Sequence, residues 1–543
     1  MVTADVVIVG SGCGGAVVAK SLAEAGLKVL VVDKSYYWPP QHLPMSENDA
    51  SQHLFDNGGS RASDDSSITI INGSAWGGGG TINWSASLQT QGYVRREWSE
   101  KFGLKHFASS QFQADLDAVC ERMGVGTDSI EHNKTNQVLL EGARKLGWSV
   151  KAVPQNTGGE AHNCGYCTLG CGSCGKKGPT ETYLPDAAKA GANFMEGFEC
   201  LEVLFNQNSS GTEKVTTGVR GTWISRDSTG GVAGTDRNRR EVIIKAPRVI
   251  LSTGPLHSPI LLQNSGIRNP HLGKHLHLHP VSLLSAVWPE PVRPWEGPIL
   301  TAVVNEAENL DHDGYGAKLE AMTMLPSWFL PFFPWKSGQQ WKEFTAKMKN
   351  MTGYISLARD RYGGTVYPDP QDRHCSRIVY TPSAHDKRHI LHGLARLAEI
   401  VYVEGAQEIH VGVPGVEPFV RPSASQLPHK ASVHVLPNPS ISDPAFAAWR
   451  DGLLASKFRA PEALSGSAHQ MGTCRMGVSS REGVVDVRGR VFGATGVYVA
   501  DSSVFPNASG VNPMVTTMGI ARGIGRGIVE ELGTGVGQTR ARL

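Results

Sequence analysis

An α/β fold is predicted, in which a Rossmann-like dinucleotide-binding domain carries a substrate-binding cap of mixed sheet and helices. Three observations on the 543-residue chain point there. The chain opens on strand, glycine turn, helix, strand and acid in "ADVVIVGSGCGGAVVAKSLAEAGLKVLVVDKS". Its 63 glycines gather in clusters instead of repeating, as at tight turns near a ligand. The length exceeds one simple core and calls for roughly two to four domains.

In the opening unit an apolar run, Val6 to Val9, enters Gly10-Ser11-Gly12-Cys13-Gly14-Gly15. A helical pattern follows, then a second apolar run, Val29 to Val32, that ends at Asp33. Gly10 permits the turn, Gly12 lets backbone approach a pyrophosphate, and Gly15 lets helix pack on sheet. The helix N-terminus offers amide N–H groups to phosphates, and Asp33 is placed to accept hydrogen bonds from a ribose. This unit alone does not separate FAD from NAD.

A second cluster, "GSAWGGGGTINWSASLQT" at 73 to 90, contains Gly77, Gly78, Gly79, Thr81 and Asn83. Such a run brings backbone N–H groups against a ligand; a flexible loop is the plain alternative. Further on stand "STGPLHSPILLQNSGI" with Gly254, "GSAHQMGTCRMG" with His469, and "GVYVADSSVFPNASGVNPMVTTMGIARGIG" with Ala500, Asp501, Asn512 and Pro513.

Composition excludes several classes. Lys+Arg total 52 against Asp+Glu 50, so no basic surplus attracts nucleic acid or anionic lipid. The first strand starts by Ala4, which leaves no room for a signal peptide, and no apolar run is long enough to span a bilayer. Nine cysteines without a secretory signal fit a reduced compartment, so a protein that is not secreted is expected. The glycosylation-like triplets at Asn83 and Asn507 are then accidental. The C-terminal Ala541-Arg542-Leu543 is a variant of the Ser-Lys-Leu address, which makes a peroxisomal import receptor the expected reader. Otherwise a cytoplasmic or peripherally membrane-associated protein is expected.

Taken together, the opening unit, both glycine-rich signatures and the C-terminal block resemble the glucose–methanol–choline (GMC) flavin oxidoreductase superfamily, in order along the chain. The resemblance implies FAD, the PHBH-like two-domain architecture and oxidation of an alcohol. It places Asn83 and the glycines before it along pyrophosphate and isoalloxazine, Ala500-Asp501 at the ribityl end, and Asn512-Pro513 at the pyrimidine edge. "NWSASLQTQGYVRREW", "CGYC", "TYLPDAAKAGA" and "ISLARDRYGG" resemble the long-chain (fatty) alcohol oxidases of this superfamily. That subgroup implies long-chain primary alcohols as substrates, aldehydes as products and O2 reduced to H2O2. Some members tether FAD through a histidine where Ile82 stands, so the flavin is expected to be non-covalent.

Hydride removal from an alcohol carbon needs an acceptor, a base for the hydroxyl proton and a group that holds the developing alkoxide. The resemblance assigns His469 as the base and Asn512 as the hydrogen-bonding partner of the substrate oxygen. "MLPSWFLPFFPW" is an aromatic and proline cluster that is either ordinary core or a hydrophobic lid for an aliphatic chain, with peripheral lipid contact. Trp328, Phe329, Phe332 and Phe333 are its candidate substrate residues. In "GKHLHLHP", His275, His277 and His279 are expected to be structural rather than metal ligands.

"HNCGYCTLGCGSCGKKGP" places Cys164, Cys167, Cys171 and Cys174 in the spacing C-x2-C-x3-C-x2-C. Neither paired zinc knuckles nor ferredoxin spacing matches it. A structural loop near the flavin is expected, with no metal. An iron–sulfur site on these four cysteines is the main alternative, and it would turn the oxidase into a dehydrogenase with a protein or quinone acceptor; zinc or a disulfide is the remaining one. The FAD domain is expected to be discontinuous, 1–100, 155–285 and 465–543. The cap would take 101–154 and 286–464, with crossovers at "PVRPWEGP" and "ALSGS".

Overall fold

The computed structural model describes residues 2–207, 214–422, 440–459 and 463–539; the tripeptide Ala541-Arg542-Leu543 lies outside them. A five-stranded parallel sheet forms the dinucleotide-binding half. Its order is Val497–Val499, Val249–Leu251, Val6–Val9, Val29–Val32 and Asn193–Met195. The four valine-rich strands are continuous apolar runs because both faces are covered. Helix Cys13–Glu24 packs on this sheet through Ala16, Val17, Ala19 and Leu22. Met514–Thr539 lies beside that helix.

The second half is built on a ten-stranded mixed sheet. Its main path runs Arg61–Ala62, Ile68–Ile70, Ser465–Ser467, Val281–Val287, Met351–Ala358, Ala317–Ala321, Ala302–Val304, Val150–Ala152. Helix Ala384–Val403 covers one face, its start fixed by a capping box between Ser383 and Asp386. The strands alternate as the pleat demands. Leu284, Ala286, Leu319, Ala321 and Tyr354 pack on the helix side, whereas Leu283, Ile355 and Leu357 face the opposite way.

The segment 101–154 is shared between the halves. Helix Ser110–Met123 puts Phe112, Leu116 and Val119 into the dinucleotide-side core, whereas helix Lys134–Lys145 joins the cap core through Val138 and Leu139. The strand Ser465–Ser467 pairs with Ile68–Ile70 and touches Val281, so it belongs by pairing to the second sheet. No helix among the described residues is long and apolar enough to cross a membrane.

Candidate active site

One cavity of about 390 Å³ runs between the two sheets. At its dinucleotide end it is lined by Gly10, Gly12, Gly14, Asp33, Gly78, Gly79, Asn83, Gly254, Asp501, Asn512 and Pro513, all expected from the sequence. Gly15, Gly77, Thr81 and Ala500 stand behind that wall and shape it. A Cβ on Gly14 would lie 1.6 Å from the Ala500 carbonyl oxygen, so these two backbones touch. Gly10, at φ +103°, backs onto Ser252, where a Cβ would come within 2.2 Å of the carbonyl oxygen. Gly77 N–H donates to Ser11 Oγ at 2.9 Å, and Thr81 Oγ1 donates to the Trp76 carbonyl at 2.6 Å.

These residues fit FAD. No side chain caps the helix that starts at Cys13, so its first turn faces the cavity ready for phosphate oxygens. The Oδ1 atoms of Asn83 and Asn512 are buried without a partner among the described residues, as expected of groups awaiting a polar ligand. Asp33 lines the cavity, but its carboxylate already accepts from Ser11 N–H at 2.8 Å and Ser35 N–H at 2.9 Å. It therefore meets a ribose as a held, oriented acceptor. Asp501 accepts from Gly254 N–H at 2.9 Å and Ser258 Oγ at 2.6 Å, and burial raises its pKa.

His469 and Glu320 line the same cavity as Asn512. His469 follows the strand Ser465–Ser467, and its N–H donates to Ser467 Oγ at 3.1 Å. Its Nδ1 lies 3.2 Å from His279 Nδ1, and Gly510 N–H donates to His279 Nε2 at 3.0 Å. Because that Nε2 accepts, neutral His279 carries its proton on Nδ1 and donates it to His469. Neutral His469 therefore holds its own proton on Nε2. Burial pushes His469 down to about 4, and His279 well below its ordinary value, where the nearby His469 adds to the effect. Both rings are neutral near pH 7.

Of the three alternating histidines expected to be structural, only His277 and His275 stay clear of the cavity; His277 Nδ1 is 3.2 Å from Asp360 Oδ2. His279 lines the cavity and fixes the tautomer of His469.

Sequence reasoning missed Glu320. It sits in the strand Ala317–Ala321, is 1% exposed, and both its carboxylate oxygens lack a hydrogen-bond partner among the described residues. Its neighbour on the same face, Lys318, is engaged elsewhere, 2.9 Å from Glu308 Oε2 and 3.1 Å from Gln91 Oε1. Burial raises Glu320 to about 7, against the opposing pull of Lys318 and the Asn512 amide.

An apolar part of the wall comes from Val281, Leu283, Ile355 and Leu357 of the sheet, with Met322 just beyond its strand. The aromatic cluster divides. Trp328 and Phe332 line the cavity, whereas Phe329 and Phe333, 0% and 4% exposed, pack into the core behind. Cys174 does not join the other three cysteines; His162 does.

Comparison with known proteins agrees with this geometry. A family model described as FAD binding domain matches residues 5–41, and two described as GMC oxidoreductase match 51–281 and 353–521. A long-chain-alcohol oxidase of Arabidopsis thaliana is 34% identical over 541 residues, 97% of this chain and 69% of the relative. A second one from that plant is 32% identical over 547 residues, 97% of this chain and 67% of the relative. Pyridoxine 4-oxidase from Mesorbium loti superposes with a TM-score of 0.65 at 15% identity, over 96% of this chain and 98% of that one. Formate oxidase from Aspergillus oryzae gives 0.65 at 15%, over 98% of each chain, so the fold is shared. With its glycine-built cradle and its relatives in agreement, the chain belongs to the GMC oxidoreductase family of FAD-dependent enzymes.

Proposed function

We propose that this protein oxidises long-chain primary alcohols to aldehydes and returns the electrons to O2 as H2O2. One observation carries the reading: a dinucleotide cradle and an apolar, sheet-built wall meet in one cavity at His469, Asn512 and Glu320. The names of the Arabidopsis relatives support the same substrate class. The glycine loops, Asn83 and the Cys13 helix start would hold FAD, which would supply the hydride acceptor and the route for electrons to O2.

The protein's own residues divide the remaining work. The apolar wall takes the aliphatic chain and excludes water from the reacting end. His469 Nε2–H donates to the alcohol oxygen and holds the charge that grows there as the hydroxyl proton leaves. Asn512 borders the same oxygen position. The family resemblance assigns the base to His469, but its resting tautomer already carries a proton on the open nitrogen. Glu320, raised to about 7 and without a partner, accepts the hydroxyl proton.

The test is a panel of C4 to C18 primary alcohols with the FAD-loaded protein, peroxide and aldehyde being measured together. Equal peroxide and aldehyde from the longer alcohols supports the reading. Aldehyde formed only with an added dye or quinone acceptor, without peroxide, overturns its oxidase half. Turnover confined to short or sugar alcohols overturns its substrate half.

A further inference from the structure

A tight group of metal-binding atoms lies outside the active site. His162, Cys164, Cys167 and Cys171 each offer one ligand atom, and the four atoms lie within 4.8 Å of one another. His162 Nε2 is 3.2 Å from Cys167 Sγ and 3.8 Å from Cys171 Sγ. All three cysteines are free thiols. Cys167 and Cys171 are 2% and 9% exposed, so the site is walled off from solvent on one side.

We propose that His162, Cys164, Cys167 and Cys171 hold one zinc ion in a closed tetrahedral site. With Zn–S near 2.3 Å and Zn–N near 2.0–2.1 Å, the edges of such a tetrahedron are ~3.8 Å between sulfurs and ~3.5 Å from sulfur to nitrogen. The separations here already have that scale, before any ion draws the atoms together. Three soft thiolates and an imidazole suit zinc by charge and geometry. Binding balances as one Zn²⁺ taken up, three thiol protons released to solvent and the neutral imidazole unchanged. Four protein ligands leave no open position for substrate, so the site is structural. A multi-iron cluster spreads its cysteine ligands over different irons, which one compact set of four atoms does not allow. Ser173 Oγ, 3.4 Å from Cys171 Sγ, is placed to donate to that thiolate and stabilise its charge.

The ion has something to hold. The only regular element between 162 and 178 is the single turn Cys167–Leu169. Yet this loop supplies Lys176, 3% exposed, whose Nζ donates to the carbonyls of Thr81 at 2.7 Å and Asn83 at 2.8 Å. Thr168 in the same turn lines the cavity and accepts from Trp84 Nε1 at 2.8 Å. Zinc thus staples a loop whose ammonium group fixes the glycine-run segment of the cofactor cradle. Zinc at this loop does not depend on which alcohol is the substrate.

Elemental analysis of the purified, FAD-loaded protein tests it, with thiol counting before and after mercurial displacement. Close to one zinc per chain is expected, released on mercurial titration, together with a fall in retained flavin. Cys174→Ser keeps the zinc; Cys167→Ser and His162→Ala lose it. Should these variants fail to fold, the metal content of the unaltered protein still decides. No metal with all three thiols freely reactive, a disulfide among them, iron with acid-labile sulfide, or zinc lost in Cys174→Ser and kept in His162→Ala would each overturn the site.

Discussion

His279 Nδ1 faces His469 Nδ1 at 3.2 Å, and this contact decides which nitrogen of His469 carries a proton. The backbone N–H of Gly510 sets the direction by occupying the far nitrogen of His279. Replacing His279 with Leu removes the donor and frees the His469 ring to turn. An orientation loss of this kind costs about 10²-fold in rate. A fall of that size in kcat with unchanged KM and unchanged FAD content is expected.

The pH profile separates Glu320 from His469. A base that titrates at about 7 is protonated and idle below that pH, so kcat/KM rises with pH and levels off above about 7. His469, at about 4, adds no limb near neutrality. Glu320→Gln should abolish the limb and lower kcat by roughly 10²–10⁴. A profile that keeps its limb in Glu320→Gln would assign the base elsewhere.

The same carboxyl should cost stability. Its folded pKa stands above the ordinary 4.5, so the folded protein binds the extra proton and loses stability as pH climbs from 4.5 to about 7. Above that range the penalty is complete, on the order of 3 kcal/mol. Glu320→Gln is therefore expected to raise Tm at pH 8 and to leave it nearly unchanged at pH 4, as read by thermal unfolding.

Chain length should be measured by the wall. Each methylene buried there contributes about 0.8 kcal/mol, which is roughly fourfold in kcat/KM per carbon until the wall is filled. Leu357→Trp, from the face that carries Ile355 and Leu283, shortens the available path. The longest alcohols then lose kcat/KM at least tenfold while C4 is spared.

Flavin retention reports on the cradle. Ile82 offers no attachment atom, so acid precipitation should leave all FAD in the supernatant. Lys176→Met removes the donor shared by Thr81 and Asn83 and should release flavin on gel filtration. Gly14→Ala, driven against Ala500, should fail to load FAD at all.

Much of this site was legible because glycine turns and backbone contacts leave their mark in residue type. Gly10, Gly14 and Asn83 announce a cradle, whereas His469 and Asn512 are named by the family resemblance alone. Glu320 was hidden by its strand: "AKLEA" alternates charge with apolar residues like a solvent-facing edge, yet all five residues are buried. Neighbouring strands Met351–Ala358 and Ala302–Val304 flank it on both edges, deep in the sheet, which no local pattern reveals. The aromatic cluster is core and cavity wall at once, because successive short turns send Trp328 and Phe332 to the cavity and Phe329 and Phe333 to the core. Cysteine spacing groups Cys164, Cys167, Cys171 and Cys174 as candidate iron–sulfur ligands. Cys174 adopts φ +53° in a turn, and the histidine just before the run takes its place.

The strand Ser465–Ser467 hydrogen-bonds into the substrate-side sheet and two residues later delivers His469 to the cavity wall. A chimera that exchanges caps by cutting at residue 464 would part this histidine from the sheet that aims it. Modular redesign of chain-length preference should therefore carry the 465–471 segment, and its partner strand Ile68–Ile70, along with the donor cap.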